Sequence, residues 1–423
     1  MDFLNILANQ KEEIENLKNL KLCSRSEESS IDLNSSLAQI VIGVRRSGKS
    51  TICHKVLLDN KINYGYINFD DERLSKISSK DLEKLLEASY VIYGKYTHLF
   101  IDEIQNIKEW FLFVNRLLRQ GLHVLITGSN SNLLSSELSS HLTGRYNQIE
   151  LFPFSFYEYC DFKNIKKEAY STKERANLKI AFADYLKEGG FPEISKIQNK
   201  KKYISTLFDS IMNRDILYRF KIRYKDALSK IANFIADNFA HEIIPSKVAK
   251  EFNIASVHTV ENYINYLKEA YLILGLHKFS NKSKERIRNE KYYLVDVAFI
   301  SDRDNIFLGE NFGWRLENIV YLELLRRYKK NLREIFYYKN NCEIDFVVCY
   351  RNSIEELIQV SYDISNEKTK KREINALIKG SSDLRCKKLT LLSLSDSTLY
   401  KDENGVEINE RNIIEWLLDN KDR

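Results

Sequence analysis

The chain has 423 residues, of which 43% are hydrophobic and 29% are charged, and its formal net charge is +6. This length exceeds a single compact core and predicts about two to four domains, and the composition is typical of a soluble globular protein. The small positive charge permits contact with nucleic acid without indicating it, because local clusters of charge matter more than their sum.

The six cysteines are scattered and none forms a C-x-x-C pair, which argues against a disulfide framework and against a zinc site. Residues 1–5 lack the basic start of a signal peptide, and no apolar stretch approaches the ~18 residues that a membrane helix needs. We therefore expect a cytoplasmic protein with reduced thiols and no contact with membranes. Residues 1–37 are predicted to form a helical arm, without chemistry of its own, that packs on the next domain.

A glycine-rich motif follows the apolar run 40–42 and fits G-x-x-x-x-G-K-[ST] without a mismatch. Gly43 and Gly48 can adopt backbone angles that other residues avoid, so the loop can wrap around a phosphate with its N–H groups. Lys49 would contact the β- and γ-phosphates, Ser50 would ligate Mg²⁺, and a helix starting near Lys49 would add its positive end. The predicted site for ATP and Mg²⁺ comprises Gly43, Val44, Arg45, Arg46, Ser47, Gly48, Lys49, Ser50 and Thr51.

From residue 37 to about residue 156, short apolar runs alternate with amphipathic segments, which predicts an α/β fold with a parallel sheet wrapped by helices. The predicted strands are residues 40–42, 65–69, 98–101 and 123–126. The third strand ends in Asp102 and Glu103, as a Walker B motif requires. Asp102 would hold Mg²⁺, and Glu103 would orient and deprotonate the attacking water.

Two further residues are candidates for this site, and each has a structural alternative. Ser129 follows the fourth strand and would act as a sensor, or it would form a turn or helix cap. Arg145 would be a finger that stabilises transition-state charge, or an arginine paired with a carboxylate. Residues 104–120 are predicted to form one helix, which Gly121 ends.

These motifs occur together in one large prokaryotic group of AAA-type P-loop ATPases, which the chain resembles from about residue 38 nearly to its end. The resemblance is carried by G-V-R-R-S-G-K-S from Gly43, N-F-D-D-E-R from Asn68, F-I-D-E-I-Q from Phe100, L-T-G-R from Leu142, L-F-P-F-S-F from Leu151, G-G-F-P-E from Gly189 and R-D-I from Arg214. It implies an AAA-type P-loop core at residues 38–160, a helical lid at 161–225 and an uncharacterised C-terminal domain whose fold resembles restriction-type nucleases.

Residues 226–292 are predicted to form a winged helix, with Ser246 capping its second helix. In such a module the third helix can enter the major groove of DNA, while cations of the wing, among them Lys291, meet phosphates. The third helix exposes acids and amides instead of cations, so a packing or oligomer contact stays an equal alternative. The basic cluster at 214–225 is either a solvated helix face or the source of an arginine for a neighbouring subunit.

Residues 293–423 resemble the nuclease fold in which a helix glutamate, a strand aspartate and a later Glu-x-Lys gather a metal and an activated water. Glu317 and Asp345 match the first two positions. Gln359 stands where an acid belongs and Ser361 where the lysine belongs, which weakens Mg²⁺ binding and removes a cation that would stabilise charge. We therefore expect a degenerate domain that binds nucleic acid or protein without cutting efficiently.

Lys339 and Glu356 are candidate substitutes for the missing groups, although nothing in the sequence positions them. The whole chain is predicted to be a Mg²⁺-dependent ATPase that couples ATP hydrolysis to the binding of double-stranded DNA or of a protein partner, with a homo-oligomer as one possible assembly. Two alternatives stay open. One is a DNA-cleaving enzyme with an active C-terminal domain, and the other is a nucleotide-gated binding switch with negligible turnover.

Overall fold

The computed structural model describes residues 2–129, 142, 144–280, 290–301, 311–328, 332–403 and 405–419. The chain divides into two compact units, of which the first comprises Met1–Pro153 with Glu269–Tyr271 and the second comprises Phe154–Lys268 with Leu272–Arg423. No helix in the described part of the chain is long and apolar enough to cross a membrane. All six cysteines lie in the described ranges, and they are free thiols.

The first unit is built on a five-stranded sheet whose strand order is β2-β3-β4-β1-β5 and whose neighbouring strands are all parallel. Its strands and principal helices are α1 (Phe3–Lys18), β1 (Ala38–Ile42), α2 (Lys49–Asp59), β2 (Tyr64–Asn68), α3 (Leu82–Tyr93), β3 (His98–Asp102), α4 (Trp110–Arg119), β4 (His123–Gly128) and β5 (Tyr146–Glu150). Because the strands are parallel, their carboxyl ends meet at one edge of the sheet, where ligands bind in such folds.

The four predicted strands are present, each within two residues of its predicted ends. Strand β5 was not predicted, because its sequence Tyr-Asn-Gln-Ile-Glu is polar and only Ile149 is buried. It is nevertheless held along its full length by pairing with β1. The pairing partner, which a single sequence does not reveal, decides its structure.

The predicted helix at residues 104–120 is wrong in its first half. Residues Ile104–Asn106 form a short 3-10 turn, and α4 begins only at Trp110. Glu103 and Glu109 both adopt the left-handed conformation, with φ of 52° and 55°, which interrupts a continuous helix on each side of this turn.

The N-terminal arm packs on this unit, as the sequence predicts, with α1 lying against α3 and β2. Gln10 is buried at this contact and binds the end of β2. Its amide nitrogen donates to the carbonyl oxygen of Asn68 at 3.1 Å, and its amide oxygen accepts from the Asn68 N–H at 3.0 Å. Since β2 is the outer strand, the arm satisfies backbone groups that would otherwise face solvent.

The second unit begins with a run of helices. Its helices are Phe156–Phe162, Thr172–Glu188, Lys200–Ser210, the π-helix Ile211–Tyr218, Lys225–Asp237, Pro245–Glu251, Val257–Glu269, Ala298–Ser301, Phe312–Tyr328, Glu367–Leu384 and Ile413–Leu418. The first of them starts with a capping box in which Ser155 and Glu158 bind each other's backbone N–H groups. The domain boundary predicted between residues 160 and 161 therefore falls inside this helix.

Residues 225–294 form three helices and a small antiparallel sheet made of β6 (His241–Ile243), β7 (Ile273–His277) and β8 (Glu290–Leu294). The strand order is β6-β8-β7. The second helix starts at Pro245 after Ile244, so the prediction that Ser246 caps it is wrong. Pro at the first helical position has its φ already set for a helix and needs no hydrogen bond from its nitrogen.

A six-stranded sheet with the order β13-β14-β12-β11-β10-β9 forms the C-terminal part. Its strands are β9 (Arg333–Lys339), β10 (Glu343–Tyr350), β11 (Ser353–Val360), β12 (Leu389–Ser393), β13 (Thr398–Lys401) and β14 (Glu407–Asn412). The predicted hairpin is the antiparallel pair β9–β10, and β11 continues it antiparallel to β10. The helices Phe312–Tyr328 and Glu367–Leu384 both contact this sheet.

The turn at Gly189 and Gly190 explains the G-G-F-P-E motif. The N–H of Gly190 donates to Oδ2 of Asp296 at 2.8 Å, and its carbonyl oxygen accepts from the N–H of Phe154 at 2.7 Å. A Cβ on Gly190 would lie 2.2 Å from the carbonyl oxygen of Phe154. The motif thus joins two distant segments at a contact too close for any side chain.

Candidate functional site

The glycine-rich loop lies between β1 and α2, at the carboxyl edge of the parallel sheet. Gly48 has a φ of 96° and precedes Lys49, which is the first residue of α2. A Cβ on Gly43 would lie 2.1 Å from the carbonyl oxygen of Leu151, so the loop can leave β1 only through a glycine. The Nζ atom of Lys49 donates to the carbonyl oxygen of Val44 at 3.0 Å, which holds the ammonium group inside the loop.

The other predicted residues of the loop differ in exposure. Ser47 is buried and its hydroxyl oxygen has no hydrogen-bond partner in the described structure. Arg45 is half-buried, with its guanidinium 3.7 Å from the carboxylate of Asp70, whereas Arg46 and Thr51 are exposed. The loop therefore combines a buried, incompletely satisfied interior with cationic side chains at its rim.

Ser50 and Asp102 are in direct contact. The Ser50 hydroxyl donates to Oδ1 of Asp102 at 3.0 Å, and the hydroxyl of Thr127 donates to the same oxygen. The Tyr66 hydroxyl donates to Oδ2 at 3.1 Å. The first turn of α2 and the strands β2 and β4 thus direct three hydroxyl groups at one buried carboxylate.

This environment changes the acidity of Asp102. Burial, and then the nearby carboxylate of Glu103, raises the pKa of Asp102 to about 6, while the three hydroxyl donors act in the opposite direction. A bound cation would therefore stabilise the charged form of this carboxylate.

Glu103 has the left-handed conformation, with a φ of 52°, directly after β3. Its backbone N–H donates to the Thr127 hydroxyl at 3.1 Å. Its carboxylate oxygen Oε2 accepts from the Ser129 hydroxyl at 3.2 Å and from the Gln105 amide. Non-glycine residues in this conformation are uncommon and are held by their surroundings, which here are the donors at the end of β4 and after β3.

Arg145 is not brought to the loop of its own chain. Its carbonyl oxygen accepts from the N–H of Ala38, at the first residues of β1 and β5. The loop follows the opposite end of β1, whose five residues span about 16 Å. Arg145 is exposed and its backbone lies at the far edge of the sheet from Lys49 and Asp102.

Four contributors were missed from the sequence. Thr127 lies near the end of β4 and Gln105 follows the two acids, so their positions in the pattern are a usable signal, whereas Tyr66 lies in the middle of β2. Arg25 gave no signal. Arg25 is 7% exposed, and its guanidinium donates to the carbonyl oxygens of Ser47 at 3.1 Å and Phe152 at 2.7 Å, so the N-terminal arm holds the loop in place.

A second group of predicted residues meets in the C-terminal part of the second unit. Glu317, Asp345 and Gln359 all line one cleft of about 700 Å³. The N–H of Asp345 donates to Oε1 of Gln359 at 3.3 Å, and its carboxylate accepts from the N–H of Val360 at 2.9 Å. The Gln359 amide donates to the buried carboxylate of Glu373 at 2.8 Å. The predicted constellation is therefore assembled, with Glu373 as an additional acid.

Lys291 on β8 brings a positive charge to Glu317 and Asp345. The sequence predicts this lysine among the cations of the wing. Its Nζ atom lies 3.3 Å from Glu317, 3.0 Å from Glu343 and 3.9 Å from Asp345. Burial lowers the pKa of Lys291, but the three carboxylates outweigh this effect and leave the pKa above its ordinary value.

Burial and the neighbouring Glu317 raise the pKa of Asp345 well above its ordinary range. Within the described residues, no group of three or more His, Cys, Asp or Glu side chains is arranged to hold a metal ion. Neither candidate substitute completes the cluster. Glu356 is bound instead by Thr390 and Lys388, and Lys339 forms an ion pair with Glu343 at 3.3 Å but none with Glu317 or Asp345 among the described contacts.

The parallel sheet and the loop between β1 and α2, with β4 inserted between β1 and the strand that carries Asp102 and Glu103, define a P-loop NTPase fold of the AAA type. Such a fold implies nucleotide binding, usually with Mg²⁺. Residues 35–160 match the family described as AAA domain, and residues 179–306 match a domain of unknown function, DUF8612.

The chain belongs to a family of AAA-type P-loop ATPases that also includes the Uncharacterized protein MJ1544 of Methanocaldococcus jannaschii. The two are 37% identical over 406 residues, which cover 93% of this chain and 89% of the relative. An Uncharacterized protein of Haemophilus influenzae is 31% identical over 347 residues, covering 77% of this chain and 82% of its own.

Among solved structures, the Walker-type ATPase PABY2304 of Pyrococcus abyssi is similar over 68% of this chain and 99% of its own, with 15% identity and a TM-score of 0.44. The RuvB Holliday junction branch migration motor of Thermotoga maritima is similar over 62% of this chain and 88% of its own, with 17% identity and a TM-score of 0.29.

Proposed function

We propose that the chain binds ATP with Mg²⁺ and hydrolyses it at the site formed by the glycine-rich loop, Asp102 and Glu103. The observation that carries the proposal is the 3.0 Å contact between the Ser50 hydroxyl and Asp102, which puts two oxygen ligands of a hard cation side by side. The buried ammonium of Lys49 lies in the same loop.

The residues present fit a magnesium ion. Ser50 and Asp102 would supply hard oxygen ligands, and the raised pKa of Asp102 supports this role, because burial disfavours its charge in the absence of a cation. Bound Mg²⁺ would neutralise charge that develops on the β- and γ-phosphate oxygens.

The chain's own residues would do the rest of the chemistry. Lys49 would exchange the carbonyl oxygen of Val44 for phosphate oxygens, because an ammonium group binds an anion more strongly than a neutral carbonyl. Glu103 would accept a proton from the attacking water. Ser129 and Gln105 contact its carboxylate and would set its orientation, which makes them positioning residues.

Arg145 would act on a nucleotide bound by another subunit. Its exposed side chain at the far edge of the sheet supports this role and argues against one in its own site. The finger would require a head-to-tail contact between copies of the chain, since one surface carries the loop and a different surface carries the arginine.

ATP hydrolysis by the purified full-length protein tests the proposal. Lys49→Ala should weaken nucleotide binding, whereas Glu103→Gln should retain binding and abolish turnover. Unchanged hydrolysis by Glu103→Gln would remove Glu103 as the base, and unchanged binding by Lys49→Ala would remove the loop as the phosphate site. Glu87→Gln, which removes an exposed carboxylate on α3, is the matched control.

We further infer that hydrolysis is coupled to the binding of double-stranded DNA or a protein partner through the winged-helix module at residues 226–292. The order of helices and strands there supports a winged helix, but Lys291 is buried and is not available to DNA phosphates. Measuring ATPase activity with and without DNA at low and moderate salt decides between the partners. Stimulation that fades with salt supports DNA, and its absence supports a protein.

A second candidate function is a nucleotide-gated switch with negligible turnover. One observation favours it: Oε2 of Glu103 already accepts from both Ser129 and Gln105, which compete with a water for the same oxygen. A basal rate that stays near background until a partner raises it many-fold would support the switch, whereas steady turnover by the protein alone would exclude it.

A further inference from the structure

We propose that Lys291 is a built-in counter-ion that occupies the cation position of the C-terminal carboxylate cluster and thereby closes a latent site for a divalent metal ion. The cluster is defined as Glu317, Glu343 and Asp345. The cleft that they line would then serve binding that does not depend on a metal.

The ammonium group of Lys291 lies between the three carboxylates. One ammonium nitrogen lies 3.0, 3.3 and 3.9 Å from oxygens of the three carboxylates. Oxygen ligands of Mg²⁺ and Ca²⁺ lie at about 2.0–2.6 Å from the metal. Moving each oxygen toward the same point, by about 0.4–1.0 Å for Glu343 and about 1.3–1.9 Å for Asp345, would therefore convert the ammonium position into a metal position.

The ammonium group of Lys291 is also confined to this position. The side chain of Lys291 is only 4% exposed, and its Nζ atom lies 5.4 Å from the centre of the Tyr337 ring. All five residues of β8 are buried, and β8 pairs with both β6 and β7, so its backbone is fixed. Withdrawal of the ammonium would leave the largely buried carboxylates of Glu317 and Asp345 without this cation, which is unfavourable.

The acids that line the cleft also accept hydrogen bonds from other groups of the chain. The Tyr293 hydroxyl donates to the Glu317 oxygen that faces Lys291, at 2.6 Å. On the other side of the cleft, Gln359 joins Asp345 to Glu373, and Glu373 is also bound by Arg372. Each acid thus already has a donor from the chain, which agrees with a cluster that no metal fills.

The test is Mn²⁺ binding followed by electron paramagnetic resonance, on full-length protein without nucleotide. Lys291→Met keeps an unbranched side chain and removes the charge, and Lys291→Gln is a second variant with a neutral polar group. Either should bind one more Mn²⁺ per chain than the wild type. Adding Glu317→Gln to the lysine variant should abolish the gain, which separates this site from the one at Asp102.

No additional Mn²⁺ site in a folded Lys291 variant would overturn the proposal. A comparison of wild type with Glu317→Gln keeps the proposal falsifiable even if neither lysine variant folds. Equal Mn²⁺ binding by these two proteins is expected, because the wild-type cluster holds no metal. Loss of one Mn²⁺ from Glu317→Gln would mean that the wild-type cluster holds a metal, and would also overturn the proposal.

Discussion

The Ser129 hydroxyl lies 3.2 Å from the carboxylate of Glu103, although 25 residues lie between them along the chain and they follow different strands. Ser129 follows β4 and Glu103 follows β3, and these strands are neighbours in the parallel sheet. The carboxylate of the proposed base is therefore oriented by the strand beside it. Hydrogen bonds to charged groups are worth about 1.5–3 kcal/mol.

Ser129→Ala should consequently lower kcat by about tenfold or more while leaving nucleotide affinity unchanged. The expected reason is a Glu103 carboxylate held by Gln105 alone. Single-turnover hydrolysis and nucleotide titration measure the two quantities separately. Ser129→Thr keeps the hydroxyl and should restore most of the rate. A loss of affinity equal to the loss of rate would show instead that Ser129 contacts the nucleotide directly.

Arg25→Lys should destabilise the first unit by about 2–4 kcal/mol and weaken nucleotide binding. A lysine ammonium lacks the fork that lets one guanidinium donate to the carbonyl oxygens of Ser47 and Phe152 together. Chemical denaturation and nucleotide titration provide the measurements. Lys21→Ala removes an exposed cation from the same segment and should change neither, so equal effects of the two substitutions would refute the bridging role.

Asp102→Asn should stabilise the nucleotide-free protein at pH 8 and have little effect near pH 4. Below the ordinary carboxyl pKa of about 3.9, Asp102 is protonated in both the folded and the unfolded chain and contributes no difference. As the pH rises towards about 6 and beyond, the unfolded chain ionises first and the folded state loses stability, by up to about 3 kcal/mol. The uncharged amide avoids this loss. Unfolding by urea across this pH range measures it, and a constant difference at every pH would contradict it.

Gly190→Ala should destabilise the second unit by about 2 kcal/mol or more, because its Cβ would lie 2.2 Å from the Phe154 carbonyl oxygen. Gly313→Ala is the matched control. It lies in the helix Phe312–Tyr328, its Cβ would meet nothing within 4 Å, and alanine favours a helix by about 1 kcal/mol. The two substitutions should therefore shift the thermal unfolding of this unit in opposite directions. A shift of the same sign would exclude the close contact as the cause.

Mixing two inactive variants tests the role of Arg145 between subunits. Arg145→Ala retains Glu103, and Glu103→Gln retains Arg145, so a contact between the two variants combines both groups at one site. The mixture should recover part of the wild-type rate, while each variant alone stays near background. A mixture as inactive as its components would exclude a finger supplied by another copy.

The loop and the two acids of the proposed nucleotide site could be predicted from sequence, because the glycine spacing, Lys49 and the acids each follow from local chemistry. The predictions failed where distant segments decide the structure. Strand β5 depends on pairing with β1, and Arg25 depends on the close approach of Ser47 and Phe152. The prediction of one helix at residues 104–120 failed because Glu109, inside that range, adopts a left-handed conformation and α4 begins only after it.

For the carboxylate cluster, the sequence predicted acids of the cleft but not the cation that contacts them. Glu317, Asp345 and Gln359 were predicted to meet, and they line one cleft. The missing cation was sought nearby at Lys339, whereas the group that serves is Lys291, from a strand 54 residues before Asp345. A single sequence carries no signal for a side chain delivered from another sheet.

Strand β8 also determines how the chain can be divided. The predicted boundary between residues 292 and 293 falls inside this strand, whose five residues are all buried. The N–H of Phe279 donates to the carbonyl oxygen of Tyr337 at 2.6 Å, which joins the small sheet to the larger one by a second route. Deletion of the C-terminal residues would cut a central strand and leave the ammonium of Lys291 without its carboxylates. A chain that ended before residue 293 would therefore lose two residues of β8 together with Glu317, Glu343 and Asp345, the partners of Lys291.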